Sequence, residues 1–143
     1  MGERFYTYKL TSLLPDNRYV VLDHKTRALV LFEDFEIKEC SILLHVQFPL
    51  VKLLLDNYPD YAPMDAMLSA FYNREIEMVR RELNASISMQ YYDSHVRPLR
   101  NTVSRTRGTV RLMGIEITGV YETGYLLTPY KPRRGSVNAK KTA

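Results

Sequence analysis

The hydrophobic positions of this 143-residue chain change their period near residue 46. Before that point they follow strand rules. FYTYKL (5–10), YVVLDHKTRALVLF and DFEIKECSILL are β-branched and aromatic runs, broken by the turn signals LPDNR and DHKTR. Such punctuation predicts an antiparallel sheet of about four strands, with a hairpin around DHKTR. From Val46 the period becomes helical. VQFPLVKLLLDN has a continuous apolar face, and Pro49 is acceptable there only in the first turn, where its missing N–H is no loss. YPDYAP ends that helix, and MDAMLSAFY starts a short second one, with Met67, Leu68 and Phe71 available for burial.

NREIEMVRREL (73–83) reads as a solvated helical connection, with Ile76, Val79 and Leu83 on one side and Glu77 and Arg81 at i, i+4. NASIS then leads into a helix expected over 88–103. There Tyr92, Val96, Leu99 and Val103 recur at i, i+4, i+7 and i+11, one stripe of a helix. With that stripe inward, Gln90, Ser94, Arg97, Pro98 and Asn101 point outward, and Asp93, His95 and Arg100 take the flanks. SRTRGTVRLMG reads as a basic loop. IEITGVYETGYLL reads as a β-hairpin over 115–127, turning near Glu122-Thr123-Gly124. The pattern contains no internal repeat.

Charge sharpens this division. The formal net charge is +4, but residues 1–86 carry 10 basic and 13 acidic side chains, against 10 and 3 in residues 87–143. The first part therefore stands at −3 and the second at +7. A surface for a polyanion is expected from the second part, with the first as scaffold or protein contact. The last stretch, TPYKPRRGSVNAKKTA (128–143), has five basic and no acidic residues and is expected to be a disordered tail following a domain of residues 1–127. With 45% hydrophobic residues the chain can build a core without staples. No apolar run approaches the ~20 residues that a membrane span needs. MGERFYTYKL lacks a signal-peptide core, and Cys40 is the single cysteine, so a reducing, cytoplasmic setting is expected.

Enzyme chemistry finds little support. His24, His45 and His95 are scattered without ligand spacing, so no metal is expected. Cys40 has no histidine partner for nucleophilic work and reads as a small buried hydrophobe. Paired acids for Mg²⁺ and glycine-rich phosphate loops are lacking. The expectation is a non-enzyme without cofactors. An outward face of amide, hydroxyl and guanidinium groups, by contrast, suits base edges and phosphates.

Sheet, helices and hairpin in this order, with these motifs, resemble one family. LLHVQFPLVKLLLDNYPDYAPMDAML, YYDSHVRPLRNTV and ITGVYETGYLL are similar to the first helices, the recognition helix and the wing of the OmpR/PhoB-type winged helix-turn-helix domain. The recognition-helix pattern is an Asp, then His-Val-x-x-Leu-Arg; the wing ends in a Gly-Tyr pair, here Gly124-Tyr125. The resemblance covers roughly residues 5–127. It implies an α+β fold: an N-terminal antiparallel sheet, three main helices and a C-terminal hairpin wing. It also implies sequence-specific binding of double-stranded DNA by a transcription regulator, with 88–103 in the major groove and 115–127 on the adjacent minor groove or its phosphates. The positions carried over are Ser94, His95, Arg97 and Arg100, with Asn101, Arg105, Arg107 and Tyr121 as further contacts.

Two layouts suit the resemblance: a freestanding regulator, or a ToxR/CadC-like cytoplasmic part whose following transmembrane helix is left out. The sheet begins about five residues from the N-terminus, so no preceding receiver domain is expected. RNA polymerase, a partner regulator or a second copy on DNA are the further partners implied. The sequence departs from the family at Pro98, where an arginine is common, and at Tyr121-Glu122, where Arg-Gly is often found. Those departures keep a second expectation open, a winged-helix module that docks to protein.

Overall fold

The computed structural model describes residues 3–120 and 123–131. Tyr121, Glu122 and the stretch 132–143, including Arg133, Arg134, Lys140 and Lys141, lie outside the described residues. The architecture is α+β. Strands β1 (Phe5–Tyr8), β2 (Arg18–Asp23), β3 (Ala28–Glu33) and β4 (Glu36–Ile42) form one antiparallel sheet in that order. Helices α1 (Phe48–Asn57), α2 (Met64–Tyr72), α3 (Ile76–Ser88) and α4 (Tyr92–Arg111) follow, with a two-residue strand β5 (Ala62–Pro63) between the first two. Strands β6 (Ile115–Val120) and β7 (Gly124–Pro129) close the chain as a hairpin, and β5 pairs with β7 to make a second sheet, β5-β7-β6.

The four-stranded sheet, the DHKTR turn and the C-terminal hairpin stand where the alternation put them. Inward residues Val20, Leu22, Leu29 and Leu31 of β2 and β3 join Leu50, Val51, Leu54 and Leu55 of α1 in a continuous core. Val96, Leu99, Val103 and Val110 of α4 and Ile115 and Ile117 of β6 belong to the same core. Pro49 does sit in the first turn of α1. Just before it, the Gln47 side chain accepts the Leu44 backbone N–H at 2.8 Å and fixes the chain's approach to the helix.

Several expectations need correction. The segment expected to be a helical connection over 73–83 is helical as α3, but it is a full helix that takes in NASIS, so four helices stand among the described residues beside the three main ones expected. The expected helix over 88–103 starts instead at Tyr92, after a break in which Gln90 takes a positive φ of 62°. It then runs on to Arg111, through most of the expected basic loop. The reason is that the buried stripe continues past Val103 through Thr106 and Val110. Thr106 is tolerated inside because its hydroxyl donates to the Thr102 carbonyl at 2.7 Å. At the other end, β7 reaches Pro129, and the Tyr130 N–H bonds Gly114 O at 3.0 Å, so the sheet passes the expected boundary at 127. Cys40 is exposed, not buried: it lies opposite Val30 on the outer side of the edge strand β4.

Strand β5 ties the hairpin to α2. Its pairing with β7 brings the two backbones so close at Gly124 that a Cβ built there would lie 2.0 Å from the Ala62 carbonyl oxygen. Glycine is the one residue that permits the approach. The N–H of Met64, at the start of α2, then bonds Thr123 O at 2.8 Å, so α2 and the hairpin are fixed to each other.

Candidate nucleic-acid interface

Helix α4 owes its position to its apolar stripe. Val96 and Leu99 are fully buried, Val103 and Val110 nearly so, and the helix packs against α2, α3 and β6. The remaining surface can then be read off the spacing. Ser94, Arg97, Asn101 and Arg105 stand at i, i+3, i+7 and i+11, share one face, and are all exposed. Twenty residues give a rod of about 30 Å, the length of a helix that can present several side chains along a groove. Among the described residues the Arg105 side chain makes no hydrogen bond or ion pair, and neither do the side chains of Ser94 and Asn101.

One acid organises the start of this helix. Asp93 accepts a hydrogen bond from Arg97, one turn on, and a second from Arg100 Nη1 at 2.8 Å. The Arg97 hydrogen bond, with Arg100 behind it, holds the Asp93 carboxyl below the usual carboxylate range. Arg100 is also 5.9 Å from the centre of the Tyr92 ring, which braces it on its flank. Both guanidinium groups are thus placed by one carboxylate. The pairs are exposed to solvent, and exposed ion pairs are weak enough for a phosphate to exchange with them.

Two further expected contacts are turned into the fold. His95 is half-buried: its ring stacks on Tyr72 at 6.1 Å, and the Tyr72 hydroxyl donates to its backbone carbonyl at 3.1 Å. Its Nε2 is buried without a hydrogen-bond partner among the described residues. Arg107 donates from Nε to the Ile117 carbonyl at 2.9 Å and lies 3.7 Å from Glu116, which ties α4 to β6. The remaining expected contact, Tyr121, lies outside the described residues. Arg111, not singled out in the sequence, bonds Glu116 at 2.9 Å and sits 5.2 Å from the Tyr130 ring centre. The helix's arginines therefore divide. Arg107 and Arg111 brace the hairpin, Arg97 and Arg100 are held by Asp93, and Arg105 stands open.

The sequence contained the signal for one of these partnerships. Asp93 and Arg97 are four apart, the spacing of a helical ion pair. The Glu116 contacts bridge helix and strand and had no such local mark. No family model, no curated protein and no solved structure matches the chain. Among the described residues no group of three His, Cys, Asp or Glu side chains could hold a metal ion, and no helix is long and apolar enough to cross a membrane.

Proposed function

We propose that this protein binds double-stranded DNA as a transcription regulator, through a winged helix-turn-helix of the OmpR/PhoB type. In this reading α4 enters the major groove and the β6–β7 hairpin lies over the adjacent minor groove or its phosphates. The observation that carries it is the exposed face Ser94–Arg97–Asn101–Arg105 on a helix seated rigidly in the core. Guanidinium and amide groups at that spacing match guanine and adenine edges, respectively. Arg100, on the flank, is placed for phosphate. Asp93 preorganises Arg97 and Arg100 and releases them as phosphates or bases take its place. Lys131 and the basic residues beyond it add charge that does not read sequence.

The test is a selection from a library of random duplexes, followed by mobility shifts of the enriched and scrambled sequences over a salt series. Enrichment of a defined motif, bound at least about a hundredfold more tightly than scrambled duplex, supports the reading. Absence of any motif, with binding that vanishes at moderate salt, refutes it. A second reading has its own observation: Asp93 and Glu116 together pair with four of the arginines on α4. A face neutralised in this way suits docking to a protein, such as a second regulator or RNA polymerase. Direct capture of such a partner by a protein that selects no DNA motif would favour that reading.

A further inference from the structure

A second concave surface lies away from α4, where three separate segments meet. The turn between β2 and β3 contributes His24 and Arg27, the approach to α1 and one face of that helix contribute side chains from His45 to Asp56, and the end of α2 contributes Ala70, Phe71 and the following Asn73. They enclose a groove of about 570 Å³, within the range of small-molecule sites. Sequence separation hides this meeting: His24 and His45 look unrelated along the chain, yet they line one groove.

Its chemistry is divided in two. The floor is apolar, with Phe48, Leu53, Ala70 and Phe71. The polar lining is mainly basic, with His24, Arg27, His45 and Lys52 against one acid, Asp56. That acid is already engaged, accepting from Lys52 Nζ at 2.6 Å and from the Tyr8 hydroxyl at 2.5 Å. Burial, with the Asp56 hydrogen bond behind it, pushes the Tyr8 phenol well above its ordinary range, so it stays a donor to Asp56. Lys52 is further steadied over the Tyr6 ring, 4.3 Å from its centre. Among the described residues the Arg27 side chain uses only its Nε, donating to the Leu43 carbonyl at 3.1 Å. That bond holds the guanidinium in place and leaves its two terminal nitrogens for a ligand. The His24 ring lies 5.5 Å from that of Phe48, where the basic side meets the floor.

We propose that this groove binds a small organic anion, a carboxylate or phosphate group carried on an apolar body. Arg27 takes the anionic group in a forked hydrogen bond, the two histidines donate beside it, and the body lies on Phe48 and Phe71. The neutralised Asp56 contributes no repulsion strong enough to offset a fixed guanidinium. No residue of α4 lines the groove, so the site stands or falls independently of DNA binding.

The test is an amide NMR titration of the full chain with four probes: phenylacetate, phenyl phosphate, neutral phenylacetamide and inorganic phosphate. We expect one of the two aromatic anions to give saturable shifts at residues 24–27, 45–53 and 70–73, with a Kd below about 1 mM. The tighter of the two identifies the headgroup. Phenylacetamide and inorganic phosphate should each bind at least about tenfold more weakly, since each lacks half of the recognition. Arg27→Gln should weaken the anion by about tenfold, and Ala70→Leu, which fills the floor, should do the same without touching charge. The unperturbed amides of α4 report that both variants are folded. The proposal is overturned if neither aromatic anion shifts the groove amides at about 10 mM. It is overturned equally if the neutral amide binds as tightly, or if both folded variants keep the parent affinity.

Discussion

Replacing Gly124 by alanine adds a single methyl group at the join between β5 and β7. An ideal Cβ at this position meets the Ala62 carbonyl oxygen at 2.0 Å, its carbon at 2.9 Å and the Pro63 Cα at 3.0 Å. All three are backbone atoms, so no side-chain rotation relieves the overlap. One strand has to move by about an ångström to restore van der Waals distance. β5 cannot move alone, since it leads directly into α2, and the Met64 N–H is bonded to Thr123 O at 2.8 Å. Overpacking of this kind costs about 1–3 kcal/mol. Loss of one or two hydrogen bonds at the join adds about 1 kcal/mol each. The sum is about 2–5 kcal/mol, a large fraction of a small domain's stability. Urea unfolding followed by circular dichroism reads this as a lowered midpoint with an unchanged slope. A loss under about 0.5 kcal/mol would refute the close approach of the two backbones, and with it the fixed relation between hairpin and α2.

Three other substitutions probe α4. Gly108 is exposed inside the helix and has nothing within 4 Å of an added Cβ, so Gly108→Ala should raise stability by up to about 1 kcal/mol in the same unfolding assay. Pro98 lies well past the first turn and gives the Ser94 carbonyl no N–H, so Pro98→Ala should stabilise by about 1–3 kcal/mol, with a gain in helical circular dichroism. Asp93→Asn removes the charge that holds Arg97 and Arg100. We expect affinity for scrambled duplex to rise and the ratio of specific to scrambled binding to fall, read by fluorescence anisotropy; an unchanged ratio would show that Asp93 does not position the arginines.

Much of this fold was legible because its buried faces are cleanly periodic. Alternation in 18–33 and the Val96–Leu99–Val103 stripe each specify one inward direction, and the structure follows both. The misreadings have physical causes. Thr106 looks polar in sequence, yet it satisfies its own hydroxyl within the helix, so α4 continues where three arginines suggested a loop. β5 is two residues long and contains a proline; its existence depends on Gly124 far along the chain, which no local window contains. Cys40 is exposed because edge strand β4 leaves its outer side uncovered. At the candidate interface the outward direction of Ser94, Arg97 and Asn101 followed from the wheel. The inward roles of His95 and Arg107 did not, because their partners, Tyr72 and Ile117, come from other elements.

The proposed role of α4 is that its outward face reads duplex DNA. The decisive comparison is between the parent protein and Arg97→Ala/Arg105→Ala on the selected motif and on scrambled duplex, by fluorescence anisotropy across a salt series. Both residues are exposed and outside the core, so the variant should keep the parent's circular dichroism and unfolding midpoint. If the face reads bases, each lost contact costs about 1–3 kcal/mol on the motif, and the preference over scrambled duplex collapses. A folded double variant that binds the motif with the parent's affinity, preference and salt slope would contradict the account.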